Sequence, residues 1–387
     1  MEAVILAAGE GKRTHPLTKT RPKVMLTIAN KPILEWNLIN TIKAGIKKYI
    51  FIIGYKKEKI IEYFQNGEKW NITIKYKIQK NLKGTAKAIK LVEKECKDFI
   101  IISGDTIFNT SDIKNIIKNK NSIGLATVKK PENYGIVETK GEQIIRIHEK
   151  MKKPFTNKIN AGIYHLDKKI FNSINKTKKS KRGEYEITDS LNIYAKNEKI
   201  KGIELKEFMD IVYPWNLLDI NKKILEKIKS KKLNNKLKGL VTEGWVKIGK
   251  NCKILPGTFI EGPVIIGDNC KIGPNCYIRP HTSIGNNCHI GNASEIKNSI
   301  IMNNSNAPHQ NYVGDSIIGE NCNLGAGTKI ANLRFDKKNI EVKFNSKIIQ
   351  TNRRKLGAII GDNVQTGINS NINIGTIIEN NIYYWKN

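Results

Sequence analysis

Acidic residues are the scarce charge in this 387-residue chain: 35 Asp and Glu stand against 67 Lys and Arg, a formal net charge of +32. Gathered on one stripe, such an excess would mark a nucleic-acid binder. Lysine instead recurs in nearly every block of ten from Lys12 to Lys386, so no nucleic-acid partner is expected, although the field favours small anions such as nucleotides and sugar phosphates. Cysteine is sparse as well, and none of the six shows the spacing of a zinc motif. Long apolar runs are missing altogether. No stretch approaches the ~20 residues of a membrane span, and the first apolar run, Ala3–Ala8, is too short and lacks the basic flank of a signal peptide. The expectation is a soluble, cytoplasmic protein with no membrane partner.

Apolar residues make up 39% of the chain and 30 glycines add to them, an ordinary globular balance. The length exceeds what one core supports, so two domains are expected. Over residues 1–220, short β-rich runs (Ala3–Ala8, Tyr49–Gly54, Ile72–Ile78, Phe99–Ser103, Gly124–Val128) alternate with helical patterns at Ile33–Ala44, Lys57–Phe64 and Thr85–Lys94. That alternation predicts an α/β domain with a mostly parallel, doubly wound sheet. A Lys-rich helical segment across 221–240 reads as a linker.

From there the period changes. Ile248, Ile254, Ile260, Ile266, Ile272, Ile278, Ile284, Ile290 and Ile296 fall every six residues, usually with Gly next. Hexapeptide repeats build a parallel β-helix, three repeats to a coil, so residues 241–387 are expected to form one. Cys252, Cys270 and Cys288, 18 residues apart, should then stack as inward core filler. The register breaks between Ile296 and Ile318, and the expectation is that Asn298–Asp315 bulges from the prism. A second interruption spans Arg334–Leu356.

Strand Ala3–Ala8 runs into Gly9-Glu-Gly11-Lys-Arg13, Pro16-Leu-Thr18 and Pro22-Lys23. Two glycines after a strand let backbone N–H groups reach phosphate oxygens, and Arg13 and Lys23 add charge. The ordered string, continued by Gln79, Gly84-Thr85, Gly104-Asp105, Tyr134-Gly135, Glu149-Lys150, Asn160-Ala-Gly and Pro214-Trp215-Asn216, resembles the nucleotidyltransferases that make nucleotide sugars, with their Rossmann-like fold. The resemblance implies that Ala8, Gly9, Gly11, Gln79, Gly84 and Thr85 bind a nucleotide (UTP or dTTP). It further implies that Gly135, Glu149 and Asn160 hold the sugar of a sugar 1-phosphate, that Asp105 and Asn216 are oxygen ligands of Mg²⁺, and that Arg13 and Lys23 are catalytic.

The later strings Tyr277-Ile-Arg279-Pro, Gly291-Asn-Ala-Ser-Glu-Ile-Lys297, Pro308-His309-Gln-Asn-Tyr312-Val-Gly-Asp315 and Asn323-Leu-Gly-Ala326 resemble the acetyltransferase half of a bifunctional family. That family pairs N-acetylglucosamine-1-phosphate uridylyl transfer with glucosamine-1-phosphate N-acetylation, and the chain is most similar to its archaeal-type relatives. The resemblance implies a left-handed β-helix and acetyl-CoA as co-substrate. It makes His309 the base, Arg279 and Lys297 holders of the sugar phosphate, Tyr312 and Asn323 sugar contacts, and the Ala326 N–H an oxyanion donor. Asn332 is a further carry-over. A homotrimer through the β-helix is expected. Two other readings stay open: a nucleotidyltransferase with a merely structural β-helix, and a non-catalytic interaction subunit.

Overall fold

The computed structural model describes residues 1–81, 83–228, 240–344 and 346–385. They divide into two compact units, each drawn from more than one stretch of chain. One holds Met1–Glu10, Pro22–Met25 and Ile33–Asp210; the other holds Gly11–Arg21, Leu26–Pro32 and Ile211–Asn387.

The first unit is a nine-stranded sheet. Its strands are β1 (Glu2–Ala7), β2 (Lys48–Ile53), β3 (Thr73–Ile78), β4 (Asp98–Ser103), β5 (Ser122–Thr127), β6 (Gly135–Lys140), β7 (Gln143–Glu149), β8 (Lys158–Asp167) and β9 (Lys201–Glu204), in spatial order β3-β2-β1-β4-β8-β5-β9-β7-β6. Strands β3, β2, β1 and β4 pair in parallel. Of these, β1, β2 and β4 carry the apolar runs read from the sequence, as strands buried on both faces must, whereas β3 at the sheet edge is largely exposed. Helices α1 (Ile33–Lys43), α2 (Lys57–Phe64), α3 (Thr85–Lys90), α4 (Thr110–Lys118), α5 (Ile170–Lys176) and α6 (Ile187–Tyr194) supply the covering layers. Ile5, Phe51 and Ile100 pack with Leu34 and Leu38 of α1 on one side, while Val4, Ile50 and Ile101 pack with Ile89, Ile174 and Leu191 on the other. The sheet is thus wound on both faces. It is also mixed: β8 runs antiparallel to β4 and β5, and β6 and β7 form a hairpin.

In the second unit α7 (Asn216–Lys227) buries Leu217, Leu218, Ile224 and Leu225. Residues 229–239 of the expected linker lie outside the described residues. A parallel β-helix follows, its isoleucines stacked in three columns. Ile260, Ile278, Ile296 and Val313 pair in register on one face, and Ile254, Ile272, Ile290 and Ala307 on another. The third column runs Ile248, Ile266, Ile284, Ile301, Ile318, Ile360 and Ile378. Cys270, Cys288 and Cys322 are buried filler, each thiol near a backbone carbonyl of the next coil.

One expectation is corrected here. Asn298–Asp315 does not bulge; it supplies strands Ile300–Ile301, Asn306–His309 and Tyr312–Gly314 to all three faces. The apparent break is two corners shortened by one residue, at Asn298 and Asp315, both with positive φ. Ile301, Ala307 and Val313 therefore keep facing inward, although their spacing has slipped out of the six-residue frame. The Arg334–Leu356 interruption is a true insertion, containing a hairpin of Glu341–Phe344 with Lys347–Gln350.

Candidate active sites

The glycine-rich loop closes on itself. The Gly11 carbonyl accepts from the Thr14 hydroxyl at 2.7 Å and the Thr18 hydroxyl at 2.9 Å, and both threonines are fully buried. Gly11 has φ +72°, which a side chain would strain, while a Cβ at Gly9 would meet nothing within 4 Å. Arg13 is exposed and forms no ion pair with a described residue. Lys23 is buried instead, its Nζ 2.8 Å from Asp105 Oδ2 just past β4. The Ala8 carbonyl, beyond β1, accepts from the Tyr55 N–H at 3.0 Å.

Gln79 is buried at the end of β3, its side-chain N–H₂ donating to the Gly84 carbonyl at 3.2 Å. Gly84 has φ +102°, and a Cβ there would lie 2.4 Å from the Tyr185 carbonyl oxygen, so only glycine fits. Thr85 accepts from the Ile187 N–H at 3.0 Å and so ties α3 to the start of α6. Across the sheet, Gly135 and Glu149 are direct partners on β6 and β7, and Ile159 beside Asn160 pairs with Ile136. Gly135, Glu149 and Asn160 are therefore brought together on three adjacent strands. Asn160 donates to the Tyr164 hydroxyl at 2.9 Å and accepts from the Gly162 N–H. Burial raises the Glu149 carboxyl above its ordinary range, with Glu186 adding to the effect and Arg182, 3.0 Å away, opposing it.

Asn216 opens α7, its carboxamide oxygen accepting from Val212 and Tyr213 N–H at 3.1 and 2.8 Å. Tyr213 stacks on buried Trp215 with ring centroids 4.7 Å apart.

On the β-helix, cross-strand register places Tyr277, Glu295, Tyr312 and Lys329 in one column. Arg279, Lys297 and Gly314 fall in the column two residues on. Arg279 pairs with Glu295 at 2.9 Å and lies over the Tyr277 ring, while its buried Nε has no partner among the described residues. At the tightened corners, Asp315 is buried and receives Asn298 and Asn332 side-chain amides, both at 2.7 Å. Asn332 also approaches the Tyr312 hydroxyl at 3.3 Å. A Cβ on Gly314 would sit 2.6 Å from that amide, so the glycine makes room for the pair.

Lys355 was not singled out from the sequence. It lines a cleft of about 530 Å³ with Asn298, Asp315 and Arg353. Burial and the neighbouring Lys355 and Arg279 cations depress the Lys297 ammonium below the usual lysine range, Asp315 opposing them. Lys297 and Lys355 are thus neighbouring cations close to the buried Asp315 carboxylate, while Arg279 is paired with Glu295. The only signal of Lys355 in the sequence was the basic run Arg353-Arg-Lys immediately before the repeat resumes.

His309 is exposed, and its carbonyl accepts from the Gly327 N–H at 3.0 Å. That bond sets the turn carrying Ala326 directly beside the histidine's strand. The Ala326 carbonyl takes the Asn369 N–H at 2.7 Å, whereas the Ala326 N–H has no acceptor among the described residues. Asn323 is exposed on the same face, bridging Asn306 and Gln365. A base, an amide donor and a cationic patch on one solenoid suit acyl transfer to a phosphorylated amine.

Known proteins resemble the chain over nearly its whole length. The nucleotidyl transferase family matches residues 2–249, and the GMPPB C-terminal domain matches 260–382. The chain is 44% identical over 386 residues to the bifunctional protein GlmU of Methanocaldococcus jannaschii, covering 99% of this chain and 93% of the relative. It is 43% identical over 378 residues to a bifunctional sugar-1-phosphate nucleotidylyltransferase/acetyltransferase of Sulfurisphaera tokodaii, covering 96% and 92%. A solved Bacillus anthracis chain assigned as a glucose-1-phosphate thymidylyltransferase superposes with a TM-score of 0.54 at 27% identity, covering 60% of this chain and 98% of that one.

Proposed function

The chain belongs to the family of bifunctional sugar-1-phosphate nucleotidylyltransferase/acetyltransferases, and from that premise we propose how its residues divide two reactions of UDP-N-acetylglucosamine synthesis. The β-helix acetylates glucosamine 1-phosphate from acetyl-CoA; the first half then transfers a uridylyl group from UTP to the N-acetylated product and releases pyrophosphate.

In acetylation, Arg279, Lys297 and Lys355 hold the phosphate, and Tyr312 and Asn323 orient the ring. His309 takes a proton from the ammonium. The freed nitrogen attacks the thioester carbonyl and the oxyanion receives the Ala326 N–H; on collapse the C–S bond breaks, and the departing coenzyme A thiolate takes up the second proton that the nitrogen sheds. The observation that carries this reading is the His309–Gly327 bond, because it sets an uncommitted amide beside the base.

Uridylyl transfer needs no base, since a sugar phosphate with a second pKa of ~6 is already an anionic nucleophile at neutral pH. An oxygen of that phosphate attacks the α-phosphorus while Gln79 and Gly84 hold the base, and Glu149, Asn160 and the Gly135 backbone hold the sugar. Arg13 and Lys23 neutralise the α-phosphate and the departing pyrophosphate. The Asp105 carboxylate offers a hard oxygen donor that suits Mg²⁺, which when bound would offset phosphate charge, and the Asn216 carboxamide oxygen would join it on giving up one of its two backbone N–H donors.

Two variants separate the reactions. His309→Ala should lower acetyl transfer about 10²–10⁴-fold and spare pyrophosphate release; Lys23→Ala should abolish pyrophosphate release and spare acetylation. If His309→Ala keeps more than a tenth of the acetylation rate, the histidine is a loop residue and the β-helix a scaffold.

A further inference from the structure

The β-helix corners repeat one device. The side-chain oxygen of Asp268 accepts the Lys250 N–H, that of Asn286 the Asp268 N–H, that of Asn303 the Asn286 N–H, and that of Asn380 the Asp362 N–H, at 2.7–3.0 Å. Asp362 does the same for the Glu320 N–H at 2.8 Å through Oδ1. The ladder uses a single oxygen, and three of these five positions show that asparagine supplies it. At Asp362 the second oxygen is surplus to the scaffold.

That oxygen is not idle. Oδ2 accepts from Arg21 Nη2 and from the Thr20 hydroxyl, both at 2.5 Å. Arg21 is 8% exposed and Asp362 2%. The same guanidinium reaches Glu320 at 3.0 Å and the Met302 sulfur at 3.3 Å, and Lys19 pairs with Glu379 at 2.7 Å. A second strap lies on the other side of Pro22–Met25 in sequence: Asn30 donates to the Ile284 carbonyl at 2.6 Å, and the Ala29 N–H reaches Asn221, which also receives the Ser283 hydroxyl. Gly11–Arg21 and Leu26–Pro32 accordingly belong to the same compact unit as the β-helix.

We propose that Asp362, assisted by Glu320, is a positioning residue for uridylyl transfer: acting through Arg21, a β-helix corner fixes the loop that presents Arg13 to the triphosphate. The inference rests on the reading of Gly9–Lys23 as the triphosphate loop. A buried guanidinium whose carboxylate is removed must shift or draw in water, and small displacements of phosphate-binding groups are costly to rate.

Asp362→Asn is the informative variant, because it keeps the ladder acceptor and deletes only the charge. In the full-length protein it should lower kcat/KM for UTP about ten- to a hundredfold. KM for N-acetylglucosamine 1-phosphate, the acetylation rate and the melting temperature should stay within twofold or a few degrees of wild type. Glu320→Gln should give a smaller loss of the same kind. Combining Arg21→Met with Asp362→Asn should cost little more than either alone, as for two residues acting as one device. Should Asp362→Asn melt early, Thr20→Val, which removes one hydrogen bond to the same oxygen, takes its place, with a several-fold loss in kcat/KM for UTP expected. Unchanged UTP kinetics in a folded Asp362→Asn or Thr20→Val protein would overturn the proposal. Lys23→Ala is run alongside: if it too leaves pyrophosphate release unchanged, the loop reading itself has failed, whereas loss in Lys23→Ala alone rejects only the role of Asp362.

Discussion

At the scale of single residues, the β-helix site is a problem in like-charge crowding. Arg279 spends part of its charge on Glu295, while Lys297 and Lys355 neighbour each other near Asp315, whose carboxylate two asparagines already hold. On the proposed reading a phosphate dianion is the counter-ion that this cluster would take up. Lys355→Met should therefore raise KM for glucosamine 1-phosphate about tenfold while leaving KM for acetyl-CoA and uridylyl transfer unchanged, as initial-rate kinetics on each substrate would show. The pH dependence has a definite sign. Because the Lys297 ammonium is held below the lysine range, KM for glucosamine 1-phosphate should begin to climb at a lower pH than an ordinary lysine would allow. Deleting Lys355 removes one of the charges responsible, so that alkaline limb should move to higher pH. The individual residues were mostly legible in the sequence because phosphate and proton chemistry restrict the side chains that serve. Lys355 was not, since its partners Lys297 and Asp315 are brought to it by stacking of coils and not by any local spacing.

At the scale of elements, the hexapeptide pattern showed the inward column but hid how it tolerates a change of step. A corner that loses one residue still delivers the next isoleucine inward, provided the remaining residue adopts positive φ, as Asn298 and Asp315 do. Periodicity in sequence reports residues per side; a solenoid conserves sides per coil. Strands β6 and β7 were missed for a related reason: their apolar residues alternate with polar or charged ones such as Glu138, Lys140, Arg146 and Glu149, and they lack the apolar runs that marked β1, β2 and β4. The inward column also sets a stability expectation. Ile290 is fully buried between Ile272 and Ala307, so Ile290→Ala should cost about 2–5 kcal/mol. Chemical denaturation followed by far-UV circular dichroism would measure it, and acetylation should fail at a lower denaturant concentration than in wild type.

At the scale of the whole molecule, the flat β-helix faces and an acetyl site assembled from consecutive coils fit a closed ring of copies, and a homotrimer is the expected assembly. Sedimentation equilibrium should return about three times the 43.8 kDa chain mass; a stable, acetylation-active monomer would refute it. A different consequence follows from the pairing of Arg21 with Asp362, groups separated by 341 positions in the chain. A ribosome adds residues in order at ~5–20 per second, so the N-terminal loop leaves the exit tunnel roughly twenty seconds to a minute before its carboxylate exists. Through that interval Arg21 lacks the Asp362 carboxylate, and until Glu320 is made it lacks both of its acidic partners. On the proposed reading, the first site encoded in the chain thus reaches full efficiency for uridylyl transfer only after its final coils have been translated.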